Sequence, residues 1–134
     1  MSVWRRKAIE AFPGQRRELE DPECTIYNVF FELLPRCVEA HTVGNTLELK
    51  KIYEFAEWCY SQKSHDLWNA VGVAFYEHLG DAEITLREMP KWVKPHIFAD
   101  IAGLLSARMK PERFERLSQE FRFSHSGHRS RFGS

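Results

Sequence analysis

The stretch Asp66-Leu67-Trp68-Asn69-Ala70-Val71-Gly72-Val73-Ala74-Phe75-Tyr76-Glu77-His78-Leu79-Gly80-Asp81 decides how this chain is read. Asp66 is a good N-cap and Gly80 suits the residue just past a helix, so both ends carry helix punctuation. At about 100° per residue, Leu67, Val71, Ala74, Phe75 and Leu79 share one face, with Trp68 beside them. Val73 and Tyr76 occupy the opposite side, so little of the cylinder is polar. A helix that is apolar nearly all round is normally buried between others. The sequence therefore predicts an all-α fold, a compact bundle or short α-solenoid of about six helices around a buried central helix at 66–80.

The flanking segments agree with an all-helical chain. Upstream, Leu49, Ile52, Tyr53, Phe55, Ala56, Cys59 and Tyr60 form the buried arc of a helix from Leu47 to about Gln62, capped by Asn45 or Thr46. The short connection Lys63-Ser64-His65 makes that helix an antiparallel neighbour of the central one. Before it, a strongly apolar helix begins between Pro22 and Thr25 and closes at Val43-Gly44-Asn45. Pro35 kinks or restarts it, and His41 falls in its last turn, where the helix dipole favours an imidazolium. Trp4, Ala8 and Phe12 mark a short amphipathic helix that Pro13-Gly14 interrupts. Downstream, Ala82 to Lys94 has a weaker pattern, read as a helical turn and then a loop. Helical spacing returns from His96 to Met109, and Pro111 starts a last helix packed through Phe114, Leu117 and Phe121. Residues 123–134, rich in Ser, Gly, His and Arg, are read as a flexible tail, leaving 1–122 as a single helical domain.

Composition narrows the function classes. At 43% hydrophobic and 28% charged residues the chain can build a core, and ten Phe, four Trp and four Tyr supply bulk for it. No apolar run approaches the about 18–20 residues that span a bilayer, and Glu10 and Pro13 fall where a signal peptide needs its apolar stretch. Cys24, Cys37 and Cys59 are odd in number and set among apolar residues, as expected of free buried thiols in a cytoplasmic protein. Formal net charge is zero but uneven. Residues 1–17 carry five Lys/Arg against one Glu, 18–105 carry seven against fifteen Asp/Glu, and 106–134 carry seven against three. An acidic middle thus lies between basic ends.

Few side chains are spaced for chemistry. Glu77, His78 and Asp81 are the best candidates for a small metal-dependent enzyme, since residues three apart share a helix face. A zinc site needs three or four ligands, however, and neither a His-Glu-x-x-His nor a paired Cys-x-x-Cys motif is present. A core or capping role suits His78 better. Cys59 points inward with Ile52 and Phe55, and apolar burial deactivates a thiol. A nucleic-acid adaptor would use Arg5, Arg6, Lys7, Arg16 and Arg17 with Arg122, Arg129 and Arg131, but the acidic middle would repel the same phosphates. The sequence nominates no catalytic residue, no metal ligand and no cofactor.

What stands out is an outward Trp. Trp58 projects into the polar face of its helix beside Glu54 and Glu57, with Glu48 near the start, and Trp92 in Met89-Pro90-Lys91-Trp92 poses the same question. An exposed Trp with an acidic rim is a typical anchor for a basic partner. The competing reading has Trp58 covering the N-terminal helix.

The words Phe55-Ala56-Glu57-Trp58-Cys59, Leu67-Trp68-Asn69-Ala70-Val71, Phe75-Tyr76-Glu77-His78-Leu79 and Met89-Pro90-Lys91-Trp92 resemble a family of small uncharacterised bacterial proteins. The resemblance runs from about Ile9 to Arg108. It implies the company of polymorphic toxin genes, where small soluble helical proteins serve as immunity factors. The expectation is then a non-enzymatic, cytoplasmic immunity protein. It would bind a cognate protein, a basic toxin domain, through Glu48, Glu54, Glu57, Trp58 and Trp92.

Overall fold

The structure, a computed structural model, describes residues 1–121 and 130–132. Most of the expected flexible tail, 123–129 and 133–134, lies outside the described residues. The fold is all-α: among the described residues there are eight α-helices, two 3-10 segments and no strand. No helix among them is long and apolar enough to cross a membrane. The chain divides into two compact units, Met1–Phe75 and Tyr76–Ser134.

The first unit contains α1 (Val3–Ala11), a 3-10 turn (Pro13–Gln15), α2 (Arg16–Glu20), α3 (Ile26–Val43), α4 (Thr46–Tyr60) and α5 (His65–Ala74). Short polar side chains set the helix starts. Thr25 and Asn28 form a reciprocal capping box at α3, and the Asn45 side chain accepts the Glu48 N–H at α4. Between them Gly44 takes a left-handed conformation, φ 72°, which L side chains adopt only with strain, and it ends α3. Helices α3, α4 and α5 pack on one another, and α1 packs on α4. Their core is aromatic. Phe55 meets Phe12 edge-on (centroids 5.9 Å apart) and stacks on Phe30 (5.5 Å), while Phe75 touches both Phe30 and Tyr53. Such ring pairs contribute about 0.5–1.5 kcal/mol each beyond the area they bury.

The second unit contains the 3-10 segment Tyr76–Asp81, α6 (Glu83–Trp92), α7 (Pro95–Ser106) and α8 (Pro111–Glu120). Leu79, Met89, Ile97, Ile101 and Leu105 are fully buried, and Phe98 stacks on Phe121 at 4.0 Å and on Phe114 at 6.0 Å. The Thr85 hydroxyl, also buried, donates to the Leu79 and Ala82 carbonyls and so ties the start of α6 to the 3-10 segment.

The expected central helix at 66–80 is not one helix. Helix α5 starts at His65 behind Ser64, and regular winding stops at Phe75 (φ −129°, ψ −71°). The all-round apolarity that suggested one enclosed cylinder has another cause. Ala70, Val71, Ala74 and Phe75 are buried at α5, which packs on α3 and α4, whereas Tyr76 and Leu79 are buried on the 3-10 segment, which packs on α6 and α7. Tighter 3-10 winding then re-aims the side chains after Phe75. Gly80 does not act as a left-handed cap; a Cβ there would meet the Met109 sulfur at 3.3 Å and Leu105 at 3.7 Å, so its size is what fits.

A second correction concerns Ala82–Lys94, expected as a turn and loop. It is a ten-residue helix with Pro90 inside it. Pro90 sits in the last turn, where the missing N–H leaves only the Leu86 carbonyl without its usual donor. Pro35 is likewise inside an otherwise continuous α3.

Candidate functional site

Helix α4 carries four of the five nominated residues, and the structure separates them. Glu54 is exposed, with Lys50 one turn away at 4.0 Å. Glu57 and Trp58 are half-buried. The Lys7 ammonium of α1 lies 5.5 Å from the Trp58 ring centroid, so the indole is partly covered by the N-terminal helix. A cation–π contact at such a half-exposed site contributes about 0.5–1 kcal/mol.

Glu48 does not belong to the outer face. Six residues before Glu54, it lies on the flank of α4 toward α3, where the Arg36 guanidinium donates to its carboxylate. Arg36 also donates to Gln15 Oε1 at 2.8 Å and lies 5.1 Å from the Phe12 centroid. Glu48 is therefore part of a link joining α3, α4 and the 3-10 turn. Trp92, half-buried at the end of α6, belongs to the second unit.

The basic N-terminus is similarly engaged. The Arg5 guanidinium donates to the carbonyls of Leu19, Asp21 (2.9 Å) and Cys24 (3.0 Å), holding the end of α2 and the turn before α3. Of the arginines nominated for phosphate contact, Arg5 is thus a structural donor and not an outward charge.

Glu77, His78 and Asp81 do come together, on the 3-10 segment instead of a helix. His78 Nδ1 is 2.9 Å from Asp81 Oδ2, and its Nε2 is 3.7 Å from Glu77 Oε2. Arg108, beyond α7, grips the same Asp81 carboxylate with two nitrogens at 2.7 and 3.2 Å. That hydrogen bonding holds the Asp81 carboxyl below its ordinary range, opposed by partial burial and assisted by His78. Asp81 is thus saturated by cationic and N–H donors, the opposite of what a metal ligand needs. Among the described residues no group of three or more His, Cys, Asp or Glu is placed to hold a metal ion. His78, expected on the core side, stands half-exposed because 3-10 winding turns it outward.

One polar cluster went unread in the sequence. His41 is buried, with Nε2 2.9 Å from the Tyr53 hydroxyl, and Cys37 lies one turn before it on α3. Burial pushes the Cys37 thiol up to about 11, partly countered by the Tyr53 hydroxyl, and burial also raises Cys59. The four-residue spacing of Cys37 and His41 was the available signal. The Tyr53 hydroxyl is the neighbour both share inside the helix packing. Among the described residues no buried side-chain nitrogen or oxygen lacks a hydrogen-bond partner.

A family described as "Domain of unknown function (DUF7674)" matches residues 5–107. The chain belongs to that family. The DUF7674 match runs from Arg5 to just before Arg108, so it includes every nominated binding residue and excludes α8. No curated protein and no solved structure matches the chain.

Proposed function

We propose that this DUF7674 chain is a protein-binding protein that works by occluding a macromolecular partner, as an immunity protein does with a cognate toxin. One contrast carries the reading. Groups that could do chemistry are spent on one another, in the Asp81–His78–Arg108 and Arg36–Glu48 pairings and the buried thiols. Large apolar side chains on the first unit, by contrast, stand in water: Phe31 is 55% exposed, Val43 64% and Leu47 68%. Large apolar side chains left exposed on one pair of helices suit contact with another macromolecule. The acidic stretch 18–105 suits a basic partner, because opposite charge speeds capture and fixes orientation.

The test is co-expression with the products of the adjacent genes. The expected result is relief of the growth arrest caused by one of them, together with a 1:1 complex by light scattering. If no neighbouring product is toxic or forms a complex with the chain, the reading falls. The original α4 face is tested in the same complex: Trp58→Ala with Glu54→Lys, leaving affinity unchanged, removes that face from the contact.

A further inference from the structure

We propose that the groove between the C-terminal half of α3 and the first turn of α4 is the docking site for an amphipathic, lysine- or arginine-rich segment of a partner protein. The proposal rests on the protein-binding reading above and adds to it a location and a partner chemistry.

The groove has a volume of about 390 Å³, and Pro35, Ala40 and Val43 supply its apolar lining. Glu39 and Glu48 stand beside them, and Arg36 is the cation of the group. Phe31, one turn before Pro35, and Leu47, just after the Gly44 turn, are exposed on the same two helices. Arg36 does not set the charge of this surface. Its guanidinium is held by Glu48 and Gln15 over the Phe12 ring, so the Arg36–Glu48 pair is neutral and fixed.

The charges left over are Glu39 and, two turns earlier on the same stripe of α3, Glu32. Both are exposed, and neither has an ionic partner among the described residues. The groove therefore offers apolar contact and exposed carboxylates. The complementary ligand brings apolar side chains flanked by N–H donors and positive charge. An acidic segment would meet like charge, and an uncharged one would leave the acceptors unmatched.

The experiment uses the full chain with two synthetic helical peptides, one of leucine and lysine and one of leucine and glutamate. Backbone amide shifts and fluorescence anisotropy are the readouts. The leucine–lysine peptide is expected to bind with shifts confined to residues 31–48, and the leucine–glutamate peptide to leave the spectrum unchanged. Glu39→Lys and Val43→Asp, both at exposed positions that tolerate substitution, should each weaken binding about tenfold or more. Glu54→Lys on α4 should change it less than about twofold.

Equal binding of both peptides, shifts elsewhere on the chain, or indifference to Val43→Asp would overturn the proposal. So would a concentration-dependent dimer that Val43→Asp dissolves, because the occupant would then be a second copy of this chain. The complex with the neighbouring gene product separates the two claims. If it forms and resists Glu39→Lys and Val43→Asp, the groove is wrong and the binding reading stands. If no such complex forms, the reading itself fails.

Discussion

Arg5 shows how little a residue's charge says about its work. In sequence it belongs to a basic run with Arg6 and Lys7, which invites an outward, phosphate-seeking role. In the fold it donates to the carbonyls of Leu19, Asp21 and Cys24, of which the Asp21 carbonyl also accepts the Cys24 N–H. Hydrogen bonds from a charged donor are each worth roughly 1.5–3 kcal/mol, and losing the donor strands its acceptors. Arg5 is only half-buried, so water recovers part of that loss. Arg5→Met is expected to cost about 2 kcal/mol in urea unfolding, where Arg6→Met, at an exposed position, costs less than about 0.5 kcal/mol. Sequence alone had no means of telling these neighbours apart, because the carbonyls Arg5 serves lie up to nineteen residues away. The burial of Cys37 and Cys59, in contrast, was legible from their apolar neighbours, whereas Cys24, expected buried with them, is only half-buried in the turn that Arg5 holds. Cys37 is protonated in the native state well past the ordinary value of 9.0, up to about 11, so its contribution is complete below pH 9 and is lost as pH rises toward 11. Labelling of the native protein with a thiol reagent at pH 8 should modify Cys24 first, with Cys37 and Cys59 reacting only on unfolding, as read by mass spectrometry. Modification of Cys59 in the folded protein would contradict its burial.

At the scale of elements, Asn45, Gly44 and Pro111 act where their chemistry places them. Asp66 and Gly80 do not: Ser64 is the N-cap of α5 and its winding stops at Phe75. What failed was the assumption that continuous apolarity means continuous helix. The helix stops at Phe75, where α5 packing on α3 and α4 gives way to a 3-10 segment packing on α6 and α7, and no local signal in the sequence marks that change. Pro90 misled in the other direction, since a proline in the last turn forfeits one bond and need not end the helix. The two internal prolines therefore differ. Pro35 lies mid-helix, so Pro35→Ala should stabilise by about 1 kcal/mol, the restored bond outweighing the extra freedom of the unfolded chain, and raise the melting temperature by a few degrees. Pro90→Ala should gain less. The Asp81–Arg108 contact, linking the 3-10 segment to the chain beyond α7, is largely exposed and solvent-screened. Arg108→Ala should therefore cost no more than about 1 kcal/mol. Because the Asp81 carboxyl is held below 3.8, this contribution is present at neutral pH and lost as pH falls below that value. A wild-type advantage over Arg108→Ala that vanishes on acidification is the expected signature.

At the scale of the whole chain, the charge pattern makes a kinetic prediction. The formal net charge is zero, so a distant basic partner feels almost no monopole attraction. Attraction arises only when the partner is close enough to distinguish the acidic stretch 18–105 from the basic ends, within roughly one screening length, about 10 Å at 0.1 M salt. Steering on a chain of large net negative charge can reach a thousandfold, but a balanced chain should sit near the bottom of that range. The association rate with the neighbouring gene product should thus fall about tenfold between low salt and 0.5 M salt, with the dissociation rate nearly unchanged. The groove variants should divide the same way. Glu39→Lys places opposite charge on the approach path and should act chiefly on association. Val43→Asp removes apolar contact made only after docking and should act chiefly on dissociation. Stopped-flow rates for the two variants across a salt series test this directly. If Glu39→Lys accelerates dissociation while leaving association untouched, the carboxylate makes its contact inside the bound complex, and the surface that attracts the partner lies elsewhere on the chain.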